Sequence, residues 1–152
     1  MQRASFEAME CSIARSLDVI GEWWTPLILR DAMAGVTRFE DFQQRLGIAR
    51  NILSKRLDRL VAEGIFERVA YDEARGRHDY RLTAKGKDLW AVLVMLRQWG
   101  DKWVVGEGQE FALLKHTTCG NHTTAHLVCD QCGEQLHRRE LRVVPGPGAS
   151  SL

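Results

Sequence analysis

The segment from Thr37 to Gly64, TRFEDFQQRLGIARNILSKRLDRLVAEG, decides the fold. Its first half places apolar side chains at i, i+3 and i+7, which predicts a short helix with one buried face. These side chains are Phe39, Phe42 and Leu46. Its second half carries another apolar stripe at helical spacing, formed by Leu53, Leu57, Leu60 and Val61. Because Leu46-Gly47-Ile48 separates the two stripes, we expect a pair of helices joined by a tight turn.

Two threonines are expected to cap helices. Thr37 precedes the first helix of the pair, and Glu40, three residues later, can reach back to the Thr37 amide in a reciprocal capping box. Thr83 stands in the same way before a long apolar segment that runs to about Trp103. The sequence therefore predicts a long final helix behind Thr83.

The second helix of the pair carries its polar residues away from the apolar stripe. Between Ala49 and Arg59 there are four cations and one anion. A helix whose exposed side holds amide, hydroxyl and cationic groups can enter the major groove of DNA and contact base edges and phosphates. An ordinary solvated helix face is the alternative interpretation. The candidate DNA contacts of this region are Arg38, Arg50, Asn51, Ser54, Lys55 and Arg59.

A β-hairpin is predicted directly behind this helix pair. Ile65 to Tyr71 alternates apolar and polar residues, and His78 to Leu82 returns after the turn DEARGR. Arg75 and Arg77 flank Gly76 at the tip, where a guanidinium can enter the minor groove or bind phosphate. The predicted fold is mainly α with one small hairpin, a winged helix-turn-helix.

The final helix is more apolar than a domain of this size needs for its own core. Its apolar residues are Leu89, Val92, Leu93, Leu96, Trp99 and Trp103. We expect this surplus to form a homodimer surface. A dimer would set two DNA-contacting helices about one DNA turn apart, roughly 34 to 36 Å, on a near-palindromic site. A long core helix in a monomer is the alternative.

Composition limits the possible classes of protein. With 152 residues, 45% of them apolar and 27% charged, the chain fits one soluble domain and a modest appendage. A net charge of +1 means that binding to nucleic acid must come from locally segregated cations. The longest apolar run, from Trp90 to Leu96, is too short for a bilayer, and the N-terminus does not resemble a secretory signal. We therefore expect a cytoplasmic protein without a membrane partner, whose cysteines are reduced, metal-bound or redox-active.

The region from 105 to 144 holds two matching ligand turns. His116-Thr-Thr-Cys119-Gly parallels Cys129-Asp-Gln-Cys132-Gly, each with two residues between the donors. Paired turns of this kind predict a zinc-ribbon-like extension with one structural Zn²⁺. His122 is the rival fourth ligand, and a metal-free thiol hairpin is the alternative to a zinc site. No His-x-Glu precedes Cys129, so deaminase chemistry and an enzymatic role are not expected. Residues 145–152 are expected to be disordered.

Cys11 stands at the start of the first predicted helix, which carries Ile13, Leu17 and Ile20. Aligned amides at a helix start favour a thiolate, so Cys11 is a candidate redox switch. Alternatively, the Cys11 side chain packs as a small apolar group beside the helix, and the sequence favours both interpretations equally.

Several runs of residues carry a family resemblance. They are Cys11-Ser-Ile-Ala, Gly21-Glu-Trp-Trp-Thr-Pro-Leu-Ile-Leu-Arg-Asp, Thr37-Arg-Phe-Glu-Asp-Phe, Gly47-Ile-Ala-Arg-Asn-Ile-Leu-Ser-Lys-Arg-Leu, Glu63-Gly-Ile and Tyr80-Arg-Leu-Thr-Ala-Lys-Gly. Together they resemble the HxlR-type, MarR-like winged-helix transcriptional regulators over about residues 11–103. The resemblance implies a bacterial dimer that binds operator DNA through the second helix of the pair and the wing. It also implies dimer contacts from the first and last helices, which adds Ile13 and Leu17 to the predicted interface.

The resemblance also implies a sensing role, since some members detect electrophiles or oxidants through a cysteine that matches Cys11. Two residues depart from the family pattern. Glu22 stands where Lys is usual, and Ala49 stands where Ser often begins the DNA-contacting helix. The second departure removes a side-chain cap and leaves Arg50 more of the contact with phosphate.

The sequence thus predicts a DNA-binding transcriptional regulator with domains at 1–104 and 105–144. A thiol-based redox or metal sensor with DNA binding as its output is the second hypothesis, and a module whose basic face binds an acidic protein is the third. Whether a small-molecule effector binds the dimer stays open.

Overall fold

The computed structural model describes residues 5–149. Its contacts divide the chain into two compact units, one up to Leu93 and one from Val94. The domain boundary expected from the sequence lies at residues 104 and 105. Residues 1–4 of the expected first domain and 150–152 of the expected disordered tail lie outside the described residues.

The first unit contains four helices, a hairpin and the start of a fifth helix. The helices are α1 (Ser12–Ile20), α2 (Trp24–Met33), α3 (Phe39–Leu46), α4 (Arg50–Ala62) and α5 (Ala84–Gly100). The hairpin strands are β1 (Phe66–Asp72) and β2 (Arg77–Leu82), joined by a short 3₁₀ turn at Glu73–Arg75. This order confirms the predicted winged helix-turn-helix fold, with α3 and α4 as the helix pair and the hairpin as the wing.

The core of the first unit forms where the helix pair meets the hairpin. Phe66 of β1 makes edge-to-face contacts with Phe42 of α3 and Tyr80 of β2, with ring centroids 6.3 and 6.4 Å apart. The helices bury the apolar stripes that their spacing predicts. Residues that are at most 1% exposed in this core include Ile28, Leu29, Phe42, Leu53, Leu57, Leu60, Ile65 and Phe66. The helix pair and the wing are therefore held by one shared core.

The predicted cap at Thr37 is wrong. Helix α3 begins at Phe39 behind Arg38, which forms no side-chain cap. The reason lies in the wing, because the Thr37 carbonyl accepts a 2.7 Å hydrogen bond from the Tyr80 amide of β2. This backbone contact holds Thr37 one residue before the N-cap position of α3, so its side chain does not cap the helix.

The predicted cap at Thr83 is confirmed. Its hydroxyl oxygen lies 3.2 Å from the Gly86 amide, which donates to it, and the hydroxyl itself donates to the Gly64 carbonyl at 2.6 Å. The first turn of α5 approaches the segment between α4 and β1 so closely that a Cβ at Gly86 would lie 2.3 Å from the Ile65 carbonyl oxygen. The start of α5 is thereby fixed against the helix pair.

The second unit continues the final helix and then forms two small turns. Helix α5 ends at Gly100 and is followed by a π-helical turn at Asp101–Val105. Strands β3 (Leu114–Lys115) and β4 (His122–Thr123) pair antiparallel, and Val128 bridges Gln135. Gln98 of α5 donates to the Ala125 carbonyl at 3.0 Å and accepts from the Ala125 amide. Among residues 5–149, none of the helices combines the length and apolar character that a membrane crossing requires.

Candidate nucleic-acid interface

The exposed side of α4 carries most of the side chains that we expected to contact DNA. Arg50, Asn51 and Lys55 are exposed, and Ser54 is half-buried. The opposite side of the helix packs into the core through leucines that are at most 1% exposed. These are Leu53, Leu57 and Leu60. The cationic N-terminal half of α4 is thus available to a partner while the rest of the helix anchors it.

Two aromatic rings position arginines of the helix pair, one just before α3 and one at the start of α4. The Arg50 guanidinium lies 4.7 Å from the centroid of the Phe39 ring, and that of Arg38 lies 4.9 Å from the centroid of Tyr71. Arg38 Nε also lies 4.0 Å from a carboxylate oxygen of Asp79. A ring face orients a guanidinium without using its N–H donors. Both arginines therefore keep donors for an anionic partner.

The tip of the wing lines the same cleft as α4. This cleft has a volume of about 460 Å³ and lies between α3, α4 and the hairpin. Its lining holds three arginines and one carboxylate, that of Glu40. The arginines are Arg50, Arg75 and Arg77. Arg75 Nε lies 3.9 Å from Asp72, and both tip arginines are exposed. Helix α4 and the wing therefore present one concave cationic surface.

Sequence reasoning missed two side chains in this cleft, Tyr71 and His78. The strand register shifts between Ala70 and Asp72, so Tyr71 is skipped by the pairing and lies 43% exposed at the cleft. Alternation of apolar and polar residues carries no signal for such a bulge. The position of both residues next to the arginine-flanked turn is the signal that could have found them.

Two arginines farther along α4 have partners within the first unit. Arg59, a candidate DNA contact, donates to the Asp18 carbonyl of α1 at 2.7 Å and lies 3.7 Å from Glu63. Arg56 lies 2.9 Å from Glu22. Their side chains connect α4 to the segment that contains α1 and the start of α2, so they help to fix the orientation of α4.

Tyr80 is a buried titratable group behind this surface. Its side chain is only 6% exposed, and burial raises the pKa of the Tyr80 phenol. The nearby Arg68 guanidinium acts in the opposite direction on that pKa. The phenol is therefore kept neutral against the base of the wing.

The predicted dimer residues lie in two kinds of environment. Ile13 is 73% exposed and Leu17 is 43% exposed on α1. Exposed apolar residues on α5 and the turn that follows it are Trp90, Val92, Leu96, Trp99, Trp103 and Val104. Leu89 and Leu93, in contrast, pack against the core of the first unit.

The cysteines lie at the start of α1 and in the second unit. Cys11 is exposed and precedes α1 without forming a side-chain cap. His116 Nδ1 lies 3.3 Å from Cys119 Sγ, and Cys129 and Cys132 lie together in the turn that the Gly133 amide closes on the Cys129 carbonyl. Backbone amides of residues 132 and 131 lower the pKa of the Cys129 thiol. Within residues 5–149, no group of three or more His, Cys, Asp or Glu side chains is arranged to hold a metal ion. The ligands are thus brought together in pairs, and the zinc site stays a prediction.

Comparison with known proteins identifies the family. Residues 19–107 match the family model of the HxlR-like helix-turn-helix, which covers more than half of the chain. The chain belongs to the HxlR-like helix-turn-helix family. The matched segment runs from the last turn of α1 to just beyond the π-helical turn, so it contains the helix pair and the wing.

The HxlR-like assignment agrees with individual relatives. An uncharacterized HTH-type transcriptional regulator of Mycobacterium tuberculosis, Rv3095, is 46% identical over 137 residues, which is 90% of this chain and 87% of that protein. The solved structure of PA1607, described as a candidate transcription factor, is 36% identical, with a TM-score of 0.82, and covers 94% of this chain and 100% of its own. The redox regulator HypR in its oxidized form is 30% identical, with a TM-score of 0.54, over 59% of this chain and 94% of its own. The protein is thus a transcriptional regulator of the HTH type.

Proposed function

We propose that the protein binds a near-palindromic operator as a homodimer and reads its sequence through α4. The observation that carries this proposal is the shared cationic cleft, in which Arg50 of α4 lies opposite the wing-tip residues Arg75 and Arg77. Phosphates attract such a surface strongly, and the side chains on α4 can discriminate base edges. A regulator of this kind would act in the cytoplasm, with the chromosome.

The residues of α4 and of the wing would contact different parts of the DNA. Arg50 and Asn51, exposed at the start of α4, suit bidentate hydrogen bonds to guanine and adenine in the major groove. Lys55, one turn farther on, suits a phosphate. Ala49 provides no side-chain cap, so the first amides of α4 can add a backbone contact to phosphate. Arg75 and Arg77 would contact the adjacent minor groove or its phosphates.

The exposed apolar residues of α1 and α5 support the homodimer. Ile13 and Trp90 are 73% and 53% exposed, which is unusual for large apolar side chains on a helix of a monomer. A second copy would cover such residues through a symmetric interface. The two α4 helices would then lie about one turn of DNA apart, roughly 34 to 36 Å.

Salt-dependent DNA binding tests the proposal. The full-length protein is titrated into labelled DNA from upstream of its own gene at several salt concentrations, followed by fluorescence anisotropy. Lys55→Ala should weaken binding to every sequence and lower the slope of log K against log salt by about one unit, whereas Arg50→Ala should relax specificity at one base pair by about 1 to 3 kcal/mol. Lys115→Ala, on β3, is the matched control and should leave both quantities unchanged. Binding that is weak, independent of sequence and equal in all three variants would contradict the proposal and favour an acidic protein partner.

A second candidate function is redox sensing through Cys11. Two observations favour it: Cys11 is exposed at the start of α1, and the chain is similar to the redox regulator HypR. Treatment with the thiol oxidant diamide should then change operator affinity or link two chains through Cys11, and Cys11→Ser should abolish the response. Ser12→Ala, at the neighbouring exposed position, is the control and should respond as the wild type does. An oxidant response that survives in Cys11→Ser would remove Cys11 from this role and assign the response to the cysteines of the second unit.

A further inference from the structure

We propose that His116, Cys119, Cys129 and Cys132 of one chain bind a single structural Zn²⁺ ion. This inference is independent of DNA binding, because it concerns the second unit alone. Its support comes from the backbone of two turns, from the side chains in them and from the composition of the surrounding segment.

The two turns have the same backbone hydrogen bonds. In the first, the His116 amide donates to the Asn121 carbonyl at 2.9 Å, and the Gly120 amide donates to the His116 carbonyl at 2.7 Å. In the second, the amide of Cys129 donates to the carbonyl of residue 134 and the amide of residue 133 donates to the carbonyl of Cys129, both at 2.8 Å. Each turn thus connects residue i to i+5 and residue i+4 back to i.

Both turns also end on a glycine in the left-handed region. Gly120 and Gly133 have φ values of +74° and +76°, which a residue with a side chain rarely adopts. This repeated geometry fixes the second donor three residues after the first. A pair of such turns, each offering two donors, is the arrangement of a zinc knuckle.

The side chains of the first turn already approach one another. His116 Nδ1 lies 3.3 Å from Cys119 Sγ, and Cys129 and Cys132 occupy the matching positions of the second turn. The rival ligand His122 lies instead in β4, opposite Lys115, outside the hydrogen-bonded turn. The geometry therefore favours His116 as the nitrogen donor.

The segment around these turns lacks a core of its own. None of residues 105–144 is buried. Apolar side chains here stay in contact with solvent, as Phe111 at 91% and Leu127 at 58% exposure illustrate. Segments of about 40 residues are too small to be stabilised by apolar burial alone and depend on a metal, disulfides or association. Four soft donors in two preformed turns point to a metal.

Binding must bring the two turns together, since the donors are paired but no group of three or more is assembled within residues 5–149. Three thiols would each release a proton as they coordinate Zn²⁺, and the imidazole would bind in its neutral form. A site closed by four protein ligands leaves no position for a substrate, so the ion would stabilise the second unit rather than catalyse a reaction.

Metal titration of the full-length protein tests this inference. Protein stripped with a chelator under reducing conditions is titrated with Co²⁺ and then with Zn²⁺. We expect one ion per chain, the intense visible absorption of tetrahedral cobalt bound to thiolates, and its loss as Zn²⁺ displaces Co²⁺. Hydrogen exchange over residues 114–136 should slow by at least tenfold when Zn²⁺ binds, because the ion orders both turns.

Two variants identify which side chains bind the metal ion. Cys132→Ser should lose the cobalt spectrum and the protection from exchange, whereas the matched control His122→Asn should retain both. Far-UV circular dichroism and operator binding, measured on the same samples, separate a lost metal site from a misfolded first unit. The inference would be overturned by the absence of thiolate-to-cobalt absorption in the wild type, by half an ion per chain, or by equal losses in the two variants.

Discussion

Glu22, just before α2, accepts a hydrogen bond from Nη2 of Arg56 on α4 at 2.9 Å. Both side chains are partly shielded from solvent, with 31% and 25% of their surface exposed. This ion pair connects the segment just before α2 to α4.

Reversing the charge at Glu22 should therefore destabilise the first unit. Glu22→Lys places two cations at this contact and should lower the free energy of unfolding by about 1 kcal/mol, the size expected of a partly exposed pair. Urea denaturation measures the change. The double variant Glu22→Lys with Arg56→Glu should recover most of the loss. If the double variant is as unstable as the sum of the two single variants, the pair contributes nothing to stability.

Asp31 is a buried carboxylate on α2. Its substitution should lower the free energy of unfolding more than the substitution of Glu22 does. The Asp31 side chain is 2% exposed and lies 2.9 Å from Arg30 and 3.4 Å from Arg45 of α3. Because Asp31→Asn removes charge-assisted hydrogen bonds between α2 and α3, we expect a loss of about 1.5 to 3 kcal/mol. Asp41→Asn, at an exposed position on α3, is the control and should change stability little. Equal midpoints for the two variants in urea would argue against this role.

A methyl group at Gly86 should be poorly tolerated. Its Cβ would lie 2.3 Å from the Ile65 carbonyl oxygen, so the start of α5 would have to move away from the helix pair. We expect Gly86→Ala to cost about 1 to 3 kcal/mol, as overpacking does elsewhere. Gly100→Ala offers a matched control at the other end of α5, where a Cβ meets nothing within 4 Å. Thermal unfolding should show a lower Tm for the first variant and an unchanged or higher Tm for the second.

Alkaline pH should weaken the fold through Tyr80. Burial raises the pKa of this phenol above its ordinary value of 10.0, so the folded state holds its proton at a pH where the unfolded chain has lost it. The contribution of Tyr80 to the free energy of unfolding is then fully present below about pH 10, and it declines as the pH rises through the raised pKa. Tyr80→Phe should reduce this decline, whereas Tyr71→Phe, at an exposed position, should preserve it. Unfolding in urea at several pH values distinguishes the two.

These residues also indicate which features the sequence could reveal. Local periodicity was sufficient for the helix pair, the hairpin and the cap at Thr83, because each depends on neighbours within a few residues. The prediction of a cap at Thr37 failed because its carbonyl accepts a hydrogen bond from a strand that is distant in sequence. The bulge at Tyr71 was not predicted because it leaves no trace in the alternation of apolar and polar residues. The ion pair of Glu22 with Arg56 joins residues 34 positions apart, which no local pattern encodes.

In the proposed complex, two copies of α4 contact DNA one helical turn apart. Hydroxyl-radical footprinting of the full-length protein, on the genomic fragment that it binds most tightly, measures this spacing directly. We predict two protected patches related by a dyad, with their centres about 10 base pairs apart, and in Arg50→Ala both patches should need a higher protein concentration. A single patch, or uniform protection along the fragment, would contradict this prediction.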